Sequence, residues 1–204
     1  MIARFMPKTG IIGNMTKFPE GFFWGSATSA YQVEGGIENN DWAQAAKQGK
    51  VPPAGRACDH YNRYEEDFDI AKSLGQNAHR FSVEWSRIEP EEGKFDEAGI
   101  EHYRKVLAAL RERGMEPFVS LWLFTLPIWF ARMGGFENKK APFYFSRYCE
   151  YVIKNLGRGS NAPKFWITIN EPSIWALSGF LNGVFPPFKK WYYLSSVFRY
   201  FGVM

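Results

Sequence analysis

The sequence predicts an α/β fold on a parallel sheet, and three features carry the prediction: short apolar segments of β-branched and aromatic residues, helical stripes between them, and polar residues closing the segments. The first strand candidate is Phe22 to Ala27. A helix follows from Tyr61 to Leu74, with Tyr64, Phe68, Ala71 and Leu74 on one stripe and Gly75 as its stop. The second strand candidate is Ala78 to Trp85. The helix from Gly99 to Arg113 turns Ile100, Tyr103, Val106, Leu107 and Leu110 inward and stops at Gly114. Pro117 to Leu123 is the third strand. A helix from Pro142 to Asn155, with Phe145, Tyr148, Cys149 and Val152 inward, leads to the fourth strand, Phe165 to Asn170.

Strand, helix, strand in this order implies parallel neighbours, because parallel pairing needs a long right-handed crossover. The strands read as nearly unbroken apolar runs, as expected where both sheet faces are covered, in a doubly wound sheet or a (β/α)8 barrel. Periodicity does not separate the two. Glu84 and the Asn170–Glu171 pair close predicted strands at the edge where both folds place chemistry. No GxGxxG or GxxxxGK[ST] loop follows a strand, which weighs against nucleotide binding and favours the barrel.

Composition narrows the function classes. The chain has 204 residues, 46% hydrophobic and 23% charged, within ordinary globular usage. Aromatics reach 18%, a surplus that serves either a Phe-rich core or the flat faces of sugar rings. The net charge of +4 is spread without clusters, so no nucleic-acid partner is expected. Cys58 and Cys149 fit neither a disulfide framework nor a metal site, which favours a reducing, cytoplasmic compartment. Met1 to Pro19 lacks the apolar stretch of a secretory signal, and no apolar run is long enough for a membrane span.

The stretch FPEGFFWGSATSAYQVEGG, Phe18 to Gly36, resembles the opening of glycoside hydrolase family 1, the β-glucosidase and 6-phospho-β-glucosidase group. RFSVEWSRIEP, Arg80 to Pro90, and TINEP, Thr168 to Pro172, extend the resemblance in the family's order. It implies a (β/α)8 TIM barrel and a retaining mechanism on a β-linked sugar, with no cofactor or metal. Such a mechanism needs two carboxyl groups about 5 to 5.5 Å apart, one giving a proton to the leaving oxygen and one attacking the anomeric carbon.

The resemblance places the acid/base on Glu171. Loss of hydration beside apolar strands is expected to raise its pKa and keep it protonated near neutral pH. By local sequence alone, Glu171-Pro172 is also a helix start with an acidic group at the positive dipole end. The resemblance further implies that Asn170 bonds the sugar 2-hydroxyl, that Gln32 grips hydroxyls at the far edge of the ring, and that Arg80 keeps the nucleophilic carboxylate ionised. Read alone, Asn170 is a strand-end cap and Arg80 a structural ion pair.

Two departures stand out. Where the family has a sugar-binding His, this chain reads WLFTLP, with Leu123 at the His position, so sugar affinity is expected to fall by about 1–3 kcal/mol. Trp122 and Phe124 beside it offer flat faces for stacking on a ring, and core packing explains them equally well. The family nucleophile lies in a TENG-type motif on the seventh strand, and no carboxylate follows Glu171 here. Residues 1–204 are thus expected to be the N-terminal part of a single barrel domain, with only the first four β/α units, truncated after strand 4 and inert alone. The tail from Phe188 to Met204 is expected to open the fourth outer helix. Four strands leave two open edges, which predicts self-association or pairing with a C-terminal half. The alternatives are a non-catalytic sugar-binding module and a homodimer of half barrels.

Overall fold

The structure is a computed structural model, and it describes residues 17–190. The tail beyond Lys190, where the fourth outer helix is expected, lies outside the described residues, as does most of the segment read for a secretory signal. Four parallel strands form one sheet in the order β1 (Gly25–Ala27), β2 (Ala78–Ser82), β3 (Glu116–Ser120), β4 (Phe165–Ile167). Around them run α1 (Ala30–Val33), α2 (Asp41–Lys47), α3 (His60–Ser73), α4 (Trp85–Ile88), α5 (Glu97–Glu112), α6 (Ile128–Arg132), α7 (Ala141–Leu156) and α8 (Pro172–Ala176), the last passing into a π-helical turn, Leu177–Asn182. Strand order equal to sequence order, each step crossed by a helix, is the winding of a barrel and not of a doubly wound sheet, in which the order reverses.

Alternation along the strands divides the side chains. Phe81 and Val119 face the helices, where Phe81 lies parallel to Tyr103 of α5 with ring centroids 6.2 Å apart. Arg80, Phe118, Ser120 and Phe165 face the other side, the lumen of a barrel. There Phe118 and Phe165 stack at 4.3 Å, and Phe23 meets both edge-on at 5.4 and 5.7 Å. The helix-side core is aromatic: Trp85 stacks on Tyr148 at 4.7 Å, and the Tyr148 hydroxyl donates to the Leu121 carbonyl at 2.9 Å. The polar edge of the buried Tyr148 ring thereby keeps a partner.

The α5 stripe is as expected, with Ile100, Tyr103, Val106, Leu107 and Leu110 all buried. On α3 the stripe fails at its end, because the helix stops at Ser73 and Leu74, past the last turn, is 73% exposed. On α7, Phe145 and Cys149 are only half-buried, and Tyr144 takes a buried place instead. Gly75 and Gly114 do close their helices in left-handed conformation, φ 80° and 67°. The strands are shorter than the apolar runs. Phe22 to Trp24 do not join β1, because their backbone is taken by Asn77, which accepts from the Trp24 N–H at 2.7 Å and donates to the Phe22 carbonyl at 2.9 Å. β2 ends at Ser82, and Glu84 stands at the N-cap position of α4, its side chain making no capping bond, rather than closing the strand.

Candidate active site

Because the strands are parallel, their C-terminal ends fall on one edge. β1 leads there into α1, which carries Gln32, and β2 brings Arg80 toward it. β3 runs on to Leu123 and Phe124, and β4 to Asn170 and Glu171.

Asn170 is buried and held on two sides. Its backbone N–H donates to the Trp122 carbonyl at 3.0 Å, extending the β3–β4 ladder, and its Oδ1 accepts from the terminal nitrogen of Arg80. The Arg80 Nε donates to the Ser120 hydroxyl at 3.0 Å. Among the described residues Arg80 makes no ion pair with a carboxylate, so the plain structural ion pair is not realised.

Glu171 stands next in the chain, at φ 44°, ψ 57°, a left-handed conformation that costs a non-glycine residue about 1 kcal/mol or more. It occupies the N-cap position of α8, with Pro172 in the first turn, yet its side chain caps no backbone N–H. The dipole-cap alternative is therefore not made as a hydrogen bond, and the backbone instead turns the carboxyl out of the chain's own path. Glu171 is exposed, so the desolvation expected from apolar strands is not supplied by these residues. Strand ends lie at the rim, where apolar walls on one side only do not exclude water.

Gln32 is also exposed, with its Oε1 accepting from the Ser29 hydroxyl at 2.6 Å. It shares the edge, and no hydrogen bond joins it to Arg80, Asn170 or Glu171 among the described residues. Trp122, for which stacking on a ring and core packing were equally open, is buried in the core, and its Nε1 donates to the Thr125 carbonyl at 2.9 Å. Phe124 remains half-buried at the rim with φ 67°, against Phe185 at 5.6 Å.

Several supporting residues take their roles from partners remote in the chain, and of these only Glu84 stood out in the sequence, as a strand-end carboxylate. Glu84 is a buried hub: it accepts from the hydroxyls of Ser86 at 2.6 Å and Thr125 at 2.9 Å and from the Asn40 amide at 3.4 Å, tying the loop after β3 to α2 and α4. Asp41 completes the tie. Its Oδ1 accepts from the N–H groups of Leu126 and Trp42 at 2.9 and 3.0 Å, and its own N–H donates to the Leu126 carbonyl at 2.9 Å. Burial pushes the Asp41 carboxyl up to about 8, with Glu84 adding to the rise. Behind β1, Tyr103 donates to Glu34 at 2.7 Å and accepts from the Glu84 N–H at 2.9 Å, while burial raises Glu34 to about 7 against the pull of Arg87.

A cleft of about 590 Å³ between Glu34, Arg56, Tyr61 and Arg87 includes none of the strand-end residues. Its one aromatic ring is already occupied: Arg87 lies over one face of Tyr61 at 4.1 Å, and His102 stacks on the ring at 3.6 Å. Among the described residues no group of three or more His, Cys, Asp or Glu is placed to hold a metal ion, and no helix is long and apolar enough to cross a membrane.

The model of one family, glycosyl hydrolase family 1, matches residues 14–199. Beta-glucosidase A of Thermotoga maritima is 37% identical over 194 residues, covering 89% of this chain and 42% of the relative. Coniferin beta-glucosidase of Pinus contorta is 36% identical over 181 residues, 83% of this chain and 35% of the relative. Among solved structures, a beta-glycosidase from Pyrococcus horikoshii superposes with TM-score 0.83 at 38% identity, covering 90% of this chain and 42% of its own. The Thermotoga maritima beta-glucosidase in complex with castanospermine gives 0.84 at 37%, covering 91% and 43%. The chain thus spans less than half the length of these relatives.

Proposed function

The chain belongs to glycosyl hydrolase family 1, and from that premise we propose that it carries the acid/base half of a retaining site for β-glucosides or β-galactosides. Glu171 gives a proton to the leaving oxygen and later takes one from water. Asn170 bonds the 2-hydroxyl, an interaction that strengthens as positive charge develops on the ring. Gln32 holds hydroxyls at the far edge, and Arg80 lends its charge to the attacking carboxylate. No carboxylate follows Glu171 in this sequence, so the attacking group comes from a segment outside it, and residues 1–204 act as the N-terminal part of one barrel domain.

The observation that carries this reading is Arg80 of β2 bound to Asn170 beyond the end of β4: a fixed amide, and next to it in the chain the exposed Glu171 on a strained backbone. The exposed lumen rings Phe23 and Phe165 support a covering segment, which also supplies the desolvation that Glu171 lacks here. The chain's free thiols, Cys58 exposed and Cys149 half-buried, support a reducing, cytoplasmic location.

The test is to co-express this chain with the unmatched remainder of the Thermotoga maritima relative and to follow hydrolysis of an aryl β-glucoside. Hydrolysis that falls about 10²- to 10⁴-fold in Glu171→Gln is expected. With Glu171→Ala, azide should restore turnover of an activated aryl glucoside and give the β-glycosyl azide. A stable complex without hydrolysis, or one indifferent to Glu171→Gln, sinks the reading.

A further inference from the structure

We infer that Ser120 is a positioning residue of this site: it sets the plane of the Arg80 guanidinium and, through it, the direction in which the Asn170 amide points. The inference rests on the sugar-site reading for its ligand, and on geometry alone for its mechanism.

Ser120 ends β3, in register with Ser82 of β2 and Ile167 of β4, and is 0% exposed. Its hydroxyl accepts from the Arg80 Nε at 3.0 Å. A guanidinium is planar, and its five N–H donors form a fixed fork, so anchoring Nε–H fixes where the terminal N–H groups aim. One of them reaches the Asn170 Oδ1. The group has donors and no acceptor, so it can meet only the oxygen of the amide. Its contact therefore decides the amide orientation: Oδ1 turns to Arg80, and the Nδ2 hydrogens turn the other way. The backbone N–H of Asn170, bound to the Trp122 carbonyl at 3.0 Å, holds the main chain from which that amide extends.

The consequence is a chemical preference. Asn170 presents a donor, so the ligand atom it reads is an acceptor, such as a hydroxyl oxygen used through its lone pair. Ser120 itself is sealed from ligand and acts only through Arg80. Without the hydroxyl, the guanidinium is free to rotate about its stem, and the amide loses its reason to keep one face.

The experiment uses the ¹⁵N-labelled chain. The side-chain amide pair of Asn170 is identified by its loss in Asn170→Asp. In Ser120→Ala the pair should move toward the position of a free amide, and Ser120→Thr, which keeps the hydroxyl, should restore it. Arg80→Lys, which keeps the charge and loses the fork, should move the same pair. An Asn170 pair unchanged in both Ser120→Ala and Arg80→Lys overturns the inference. In a second arm, calorimetry compares a glucose-configured iminosugar with its analogue lacking the 2-hydroxyl. The unmodified chain should prefer the first by about tenfold, the worth of one hydrogen bond, and Ser120→Ala should reduce that to about twofold. Full discrimination retained in Ser120→Ala also overturns it. If neither the unmodified chain nor its complex with the co-expressed remainder binds either compound while the amide pair still responds to Ser120→Ala, the sugar reading fails and the positioning role stands.

Discussion

The two faces of the sheet are built to different standards. On the helix side, Phe81, Val119, Trp85 and Tyr148 are sealed, and the tyrosine hydroxyls find partners. On the lumen side, Phe23 is 45% and Phe165 38% exposed, and a half-buried arginine stands among rings and serines. The same alternating strands produce both faces, so strand propensity does not explain the contrast. Each crossover helix covers its own stretch of the outer face within about thirty residues of chain, whereas the lumen is filled only when side chains from many strands converge. The helix side is therefore the sealed core of this chain, and the lumen side leaves apolar rings open.

Substitutions can break that contrast in order of size. Ile100→Ala, at a fully buried helix-side position, should cost about 3–4 kcal/mol in denaturant unfolding. A cost below about 1 kcal/mol would mean that the helix-side core is loosely packed.

The next effect is pH-dependent. His79 is pushed down to about 4, first by burial and then by His60, and its ring nitrogens lie 3.1 Å from the Ser26 hydroxyl and 3.3 Å from that of Thr28, stapling β1 to β2. The unfolded imidazole takes its proton near 6.5 and the folded one only near 4, so the folded state loses stability as pH falls through that window. Glu34, raised to about 7, works in the opposite sense, since its ionisation as pH rises above the usual carboxylate range favours unfolding. A direct comparison removes the shared terms. Between pH 6.5 and 4 the unmodified chain should lose up to about 3 kcal/mol relative to His79→Gln. Parallel stability curves for the two would exclude the staple.

Tyr103→Phe deletes one hydroxyl that serves both Glu34 and the Glu84 N–H, and should cost about 1–3 kcal/mol because a buried carboxyl and a buried N–H each lose a partner. Phe165→Ser, on the lumen face, should change unfolding stability by less than about 1 kcal/mol while reducing self-association in sedimentation experiments. A large loss of stability there would erase the distinction between the faces.

How far the sequence alone reaches depends on the range of the interaction. The α5 stripe was legible because helical burial repeats every few residues, and the glycine stops were legible because a left-handed helix end admits little else. Leu74 was misplaced because helix ends are set by the next segment's path, which periodicity does not encode. Trp122 stayed open between stacking on a ligand and core packing, because a tryptophan at a strand end looks the same in either role, and its burial decides for the core. Ser120 was passed over entirely, since a lone serine in an apolar run carries no signal until Arg80 is seen beside it.

By itself, the sequence determined the α/β class, the alternation of strands and helices, and the residues of the three motifs that tie the chain to its family, because each is written in neighbouring positions. Only the tertiary structure decided that Arg80 holds Asn170 across 90 positions of chain, that Glu171 stands exposed in a left-handed turn, and that the lumen rings lie open. The physical reason is that a hydrogen bond between remote residues, or the burial of a carboxyl, is a property of which strand ends meet, and that is fixed by the winding of the whole sheet.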